Sequence, residues 1–262
     1  MDLTLSNIIL ACHKSPNFDA LLQLGVTLSN KFNAKLHVML PDTESNTAVG
    51  NKLSNADHTL QTVHNLSYKD LIHTATEIDA DLIIVSTNNK DSKDGLLTFA
   101  DTVKLIDNLK KPILTIPSNC TITSFEKILI PIDTSYETRQ KGPFTIGIGK
   151  RFNSLIQIIG VSGDKDKDSE TTVNNYSRQV SNKINENGLN STIEVRLGGN
   201  ITDQTLAYAK EINPDLAVIM TEQEVNFKSF FTGKYSEQLV KQASFPILNI
   251  SPIDLIVSDA RL

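Results

Sequence analysis

The chain has 262 residues, 39% hydrophobic and 21% charged, enough to bury one large core or two ordinary ones without disulfide or metal staples. Its 25 basic and 30 acidic residues leave a net charge of −5, evenly spread: residues 1–120 hold 10 basic and 13 acidic, the remainder 15 and 17. That evenness excludes the concentrated basic face of a nucleic-acid binder, and no run reaches the ~20 apolar residues of a membrane helix. The opening Met1–Lys14 contains an acid and lacks the basic start of a secretory signal. Two cysteines, Cys12 and Cys120, give neither a disulfide framework nor metal-ligand spacing. A soluble, cytoplasmic protein with no membrane or nucleic-acid partner is expected.

Along the chain, Asn7–Cys12 and Lys35–Leu40 are short apolar runs without clean alternation, as suits parallel strands covered on both faces. Between them, Asp19–Asn33 gathers Leu21, Leu22, Leu24, Val26 and Leu28 broadly on one side, a helix with Asn17 at the N-cap position. Pro41–Asp57, rich in Asn, Ser, Thr and Asp, has weak helical periodicity and reads as a loop or one short turn. A more polar strand, Thr59–His64, precedes a helix over Tyr68–Ile78 that is capped by Ser67 and groups Leu71, Ile72 and Ala75. Leu82–Ser86 and Ile113–Ile116 complete the strands, with Lys111-Pro112 stopping the helix before the last one. Asn119–Ser124 reads as a linker.

The remainder repeats this unit. Ile8-Ile9-Leu10 and Lys31-Phe32-Asn33 recur 120 residues later as Ile128-Leu129-Ile130 and Arg151-Phe152-Asn153. Asp81–Val85 and Lys111–Ile116 recur 134 residues later as Asp215–Ile219 and Phe245–Ile250. The second copy has therefore gained 14 residues in its middle, where a helix over Glu170–Asn187 replaces the trimmed crossover. Asp164–Asp168, alternating Asp and Lys, reads as a solvated surface loop, and Gly198-Gly199-Asn200 as a tight turn whose Asn caps the next helix. Alternating strands and helices imply doubly wound sheets.

Two tandem copies, the second opening Lys-Ile-Leu-Ile-Pro-Ile-Asp-Thr-Ser over Lys127–Ser135, resemble a tandem universal stress protein. Asp215–Val218 and Phe245–Ile250 match that family's fourth and closing strands, whereas the first copy, Asn7–Ser15, keeps the opening strand but loses its Pro and acid. The resemblance implies an α/β fold: two five-stranded parallel-sheet domains of the adenine nucleotide alpha hydrolase-like kind, arranged as a pseudo-dimer. The domains would span 1–118 and 125–252, with 253–262 as a C-terminal extension. It also implies intramolecular pairing through the last strands, Pro112–Ile116 with Pro246–Ile250, which would cover two apolar sheet edges. A homodimer of the whole chain is a further assembly it allows.

Many relatives hold ATP with a Gly-x2-Gly-x9-Gly-Ser/Thr loop after the fourth strand, glycines letting backbone N–H groups reach phosphate. Met220, Gln223 and Gly233 occupy those glycine positions in the second copy, with Lys234 where Ser or Thr belongs. In the first copy they are Ser86, Asn89 and Phe99, and His13 replaces the acid matched by Asp133. Glu222 and Glu224 add like charge beside any phosphate. Degenerate ATP sites and no resident cofactor are expected. The alternative is an AMP- or ATP-binding sensor with Asp133 near ribose and Gly233, Lys234 and Ser236 near phosphate. A small-ligand or lipid carrier using Met220, Phe99 and Phe231 is a third reading.

Catalytic and metal constellations are not apparent. His13, His37, His58, His64 and His73 all lie in the first copy without ligand spacing, and no Gly-x-Ser-x-Gly elbow occurs. A non-enzymatic binding or interaction module of the stress response, without catalytic residues or a metal, is the reading for function.

Overall fold

The apolar runs become strands and the periodic runs become helices, in one alternating series. The computed structural model describes residues 3–12, 15–41, 46–63, 66–87, 97–221 and 235–252. The first copy runs β1 (Asn7–Ala11), α1 (Phe18–Phe32), β2 (Lys35–Pro41), α2 (Asn46–Lys52), β3 (His58–Val63), α3 (Tyr68–Glu77), β4 (Leu82–Thr87), α4 (Phe99–Asn108) and β5 (Ile113–Pro117). The second runs β6 (Lys127–Ile132), a 3-10 helix (Glu137–Lys141), α5 (Gly142–Phe152), β7 (Leu155–Ser162) and α6 (Lys167–Glu186). It continues through β8 (Ser191–Leu197), α7 (Ile201–Ile212), β9 (Leu216–Met220), α8 (Tyr235–Gln242) and β10 (Ile247–Ile250).

All ten strands form one sheet in the order β3-β2-β1-β4-β5-β10-β9-β6-β7-β8. Pairing is parallel within each copy and antiparallel only where β10 meets β5, with Leu248 opposite Leu114 at the centre of the junction. One face is covered by α1, α2, α5 and α6, the other by α3, α4, α7 and α8. This double cover explains the unalternating apolar strands: every residue of β4 is buried. The outermost strands, β3 and β8, are more exposed and more polar, as sheet edges usually are.

The repeat has physical causes. Asp81 and Asp215 occupy equivalent places before β4 and β9. The Oδ2 of Asp81 accepts the backbone N–H groups of Ser6 (2.6 Å) and Asn7 (3.0 Å), and that of Asp215 accepts those of Glu126 (2.9 Å) and Lys127 (2.8 Å). Each aspartate ties the start of its copy's first strand to the fourth. Asn33 and Asn153, the repeated ends of α1 and α5, both adopt left-handed φ of 54°, where Asn is tolerated better than most residues.

The same repeated segment joins the copies. Lys31 Nζ lies 4.7 Å from the Phe152 ring centroid, and the Arg151 guanidinium lies 4.2 Å from that of Phe32. These are reciprocal cation–π contacts between equivalent residues. Arg151 also donates to the carbonyls of Gly147 (3.1 Å) and Leu3 (3.0 Å), and Lys31 to the carbonyl of Arg151 (2.7 Å). Gly147 is required here, because a Cβ would collide with Leu3. Arg151→Ala is expected to cost about 1–2 kcal/mol, the sum of a desolvated cation–π contact and lost hydrogen bonds. Urea unfolding measures it, and a change within about 0.3 kcal/mol of zero contradicts this role.

Three local expectations are corrected. The crossover after β2 contains the two-turn helix α2 rather than a loop or single turn. Val49 within it and Leu53 just after it, four residues apart, are 3% and 0% exposed and anchor it. Asp164–Asp166 lie in the expected exposed loop, but Lys167 and Asp168 already belong to α6, and Asp166 caps it. Its Oδ1 accepts the N–H groups of Asp168 (3.0 Å) and Ser169 (2.9 Å), capping α6. Asn17 precedes α1 but its side chain does not cap it. Ser67 forms a capping box with Asp70, and Asn200 caps α7 through Thr202 and Asp203. The 253–262 extension lies outside the described residues.

Candidate functional site: two unequal crevices

Ligands of open α/β sheets sit beyond the carboxyl ends of the strands, where strand order reverses. This sheet has two such points, between β1 and β4 and between β6 and β9.

In the first crevice the described polar side chains bond one another and the end of β5. Asn17, 1% exposed, donates from Nδ2 to the Pro117 carbonyl (3.1 Å). Its Oδ1 accepts from Ser15 Oγ (2.6 Å) and, more distantly, from Ser86 Oγ (3.5 Å). Thr87 Oγ1 reaches the Ile116 carbonyl at 3.4 Å, and Ser118 N–H donates to the Thr87 carbonyl (3.0 Å). The amide that could cap α1 thus bridges instead to the end of β5. Bound phosphate would have to displace this satisfied cluster. Asn17→Ala is expected to cost about 1–3 kcal/mol, since it strips partners from buried polar groups. Thermal unfolding with less than about 0.5 kcal/mol of loss contradicts that packing role.

The second crevice differs. Asp133 follows β6 directly. Its Oδ1 accepts from the N–H (2.8 Å) and Oγ (2.5 Å) of Ser135, while its own N–H donates to Thr138 Oγ1 (3.1 Å). This side-chain turn leads into the 3-10 helix, which packs over β6 and β9. The helix ends in Lys141, only 2% exposed. Burial pushes the Lys141 ammonium down to about 8, the Asp133 charge acting in the opposite direction. Among the described residues Lys141 Nζ has no hydrogen-bond or ion-pair partner. At the end of β9, Thr221 N–H donates to the Ile250 carbonyl (2.9 Å) and Thr221 Oγ1 lies 3.4 Å from Ser251 Oγ.

The residues expected to form a nucleotide site are only partly placed. Asp133 stands at the switch point. Ser236 is buried in α8 and shares no hydrogen bond with Asp133. Gly233 and Lys234 lie outside the described residues, as do His13, His64, Asn89, Glu222, Gln223, Glu224 and Phe231. Met220 and Phe99, suggested for an apolar carrier, belong to different copies and pack on opposite faces of the sheet.

Sequence reasoning missed Lys141. A signal existed: Thr138, Lys141, Thr145, Ile148 and Phe152 are all buried at spacings of three or four, which puts the lysine on the inward stripe. It also missed a groove of about 290 Å³ between the 3-10 helix and α6. There the Arg139 guanidinium lies 4.3 Å from the ring centroids of both Tyr136 and Tyr176, and donates to Gln179 Oε1 (2.7 Å).

The remaining polar candidates have structural partners. His37 bridges Asn7 Oδ1 (3.1 Å) and Thr59 Oγ1 (2.9 Å), and burial lowers its pKa. His58 Nδ1 meets the Ala56 carbonyl (2.9 Å). Among the described residues no cluster of three or more His, Cys, Asp or Glu could hold a metal ion. Nor is any described helix long and apolar enough to cross a membrane.

The sequence matches no family model and no curated protein. The fold, however, superposes end to end on solved structures. A universal stress protein from Archaeoglobus fulgidus aligns with TM-score 0.69 and 14% identity, covering 95% of this chain and 97% of that one. A functionally unknown protein from Pseudomonas aeruginosa PAO1 gives 0.71 and 16%, covering 95% and 93%. A protein from Pseudomonas aeruginosa UCBPP-PA14, also described as a universal stress protein, gives 0.69 and 16%, covering 95% and 94%. At such identities the likeness is one of fold.

Proposed function

We propose that this chain, which has the tandem universal stress protein fold, is a non-enzymatic binding module of the stress response whose copies have divided their roles. The first copy serves as a scaffold and the second keeps the crevice. One observation carries this reading: Asn17, Ser15 and Ser86 bridge the first switch point, while the second presents Asp133 and a buried Lys141 without a hydrogen-bond or ion-pair partner among the described residues. Fold alone does not establish function, so the proposal rests on these side chains.

Neither copy supplies the family's glycine pattern, so ATP is expected to bind only at millimolar concentration or weaker. The chain is read as working in the cytoplasm, without catalytic turnover. A second reading, an AMP- or ATP-binding sensor, draws support from Asp133 at the family's acidic position. Isothermal titration with ATP and AMP separates the two. A micromolar constant lost in Asp133→Ala would replace the first reading with the second. Heats near zero across the millimolar range support degenerate sites.

A further inference from the structure

The groove of about 290 Å³ on the outer helical layer has walls of opposite origin. Tyr136, Arg139 and Pro143 come from the 3-10 helix and the start of α5, and Gln179, Val180 and Lys183 from the middle of α6. None of these is a strand residue, so the groove is distinct from both switch points. Arg139 is held in place there. Its guanidinium lies 4.3 Å from the ring centroids of both Tyr136 and Tyr176, Nη1 donates to Gln179 Oε1 (2.7 Å) and Nε to the Tyr136 carbonyl (3.4 Å). Stacked between two rings, the guanidinium has little freedom left to lose when an acceptor arrives. No acid lines the groove, and among the described residues neither Arg139 nor Lys183 makes an ion pair. Tyr136, 57% exposed, is the most open large apolar side chain among the described residues.

The first copy shows the same position used only to join helices. The 120-residue offset of the repeat places Asp19 where Arg139 stands. Asp19 of α1 pairs with Lys52 at the end of the short helix α2 (2.5 Å). In the second copy the charge at this position is reversed, so both walls carry a cation and neither neutralises the other. A chain of net charge −5 thus brings two cations to one largely apolar groove.

We propose that this groove docks an acidic peptide segment of a partner protein, its carboxylates on Arg139 and Lys183 and an apolar side chain against Pro143 and Val180. Charge complementarity selects the occupant: cations on two walls call for more than one acid, which a chain segment supplies and a single small carboxylate does not. The Arg139 guanidinium keeps further N–H donors beyond those given to Gln179 and Tyr136, in the fork geometry that grips a carboxylate. A volume of about 290 Å³ admits one or two side chains. Tyrosine and arginine are also the residues in which interfaces concentrate their binding energy. The groove stands apart from the crevice at Asp133, so nucleotide binding there, found or not, leaves this docking surface unaffected.

The test pans a random peptide library displayed on phage against the immobilised full chain at low salt. The result expected is enrichment of sequences with Asp or Glu beside Leu, Pro or an aromatic residue. A synthetic peptide from that set should shift the backbone amides of Arg139, Gln179 and Lys183 in NMR, saturably. Its affinity should fall about tenfold or more in Arg139→Gln and several-fold in Lys183→Gln, and weaken as salt rises. Lys183 is exposed, so Lys183→Gln keeps the comparison valid should Arg139→Gln fail to fold. Several results overturn the proposal: no enrichment, enrichment without acids, shifts elsewhere, or unchanged affinity in the folded variants. Free glutamate binding as tightly as the peptide would mark a small-carboxylate site instead. Concentration-dependent self-association lost in Arg139→Gln would make a second copy of this chain the occupant, and the peptide reading would fall.

Discussion

Ile113→Lys combined with Ile247→Lys is expected to abolish the single cooperative unfolding transition and to part the two copies. Both residues are 1% exposed, on the same face of the sheet, in the two strands whose antiparallel pairing makes ten strands into one sheet. Each lysine would bury an unpaired charge, a change of order 3–5 kcal/mol, and the pair approaches the whole stability of an ordinary domain. The site tolerates little relaxation. Thr115 Oγ1 donates to the Ile247 carbonyl (3.1 Å), and Asn249 Nδ2 donates to the Ile113 carbonyl (3.2 Å), so hydrogen bonds cross the junction beside both substitutions. Small-angle scattering should show a larger radius of gyration, and calorimetry a lower, broadened transition. A scattering profile and melting temperature like those of wild type would contradict the junction's role.

Lys141→Met should do the reverse and stabilise the protein at neutral pH in anion-free buffer. Methionine keeps the unbranched body of the side chain and removes the charge. The buried ammonium titrates at about 8 rather than an ordinary lysine's 10.5, chiefly through desolvation. That difference corresponds to roughly 3 kcal/mol. Below about pH 8 the lysine is charged folded and unfolded, and the folded chain carries the whole penalty. Between about 8 and 10.5 the folded state gives up its proton first, so wild type gains stability as pH rises. Above that range the amine is neutral in both states. The advantage of methionine should therefore be constant below about pH 8 and fade towards 10.5. Urea melts across that range measure it. A substitution that destabilises at pH 7, or whose effect is flat with pH, would show that the ammonium is better solvated than its burial implies.

How much of this was legible depends on distance along the chain. The strands and the repeat could be read because parallel buried strands are near-continuous apolar runs. The two aspartates, Asp81 and Asp215, recur because each ties the first strand of its copy to the fourth, a long-range contact that only the repeat itself betrays. Ser67 and Asn200 are caps that act within three residues and need no tertiary knowledge. Asn17 looks the same in sequence, but its best acceptor is the Pro117 carbonyl, 100 residues away, and that contact outcompetes the cap. Short helix α2 was hidden because its polar composition outweighs the two residues, Val49 and Leu53, that pin it down. Lys141 stayed hidden for a related reason. A lysine in a polar turn reads as solvent-facing until the packing of that turn over β6 and β9 is known. Asn249, buried at the junction with its Oδ1 unpartnered among the described residues, is equally unannounced by the run Ile247–Ile250.

The central claim is that the two crevices are unequal, the first bridged by Asn17, Ser15 and Ser86 and the second presenting Asp133 and Lys141. Backbone amide NMR during a phosphate titration of the intact chain tests it most directly. The predicted result is saturable shift changes at Asp133, Ser135, Lys141 and Thr221, with Ser15, Asn17, Ser86 and Thr87 unmoved. Equal changes at both sets, or changes confined to the first, would contradict it.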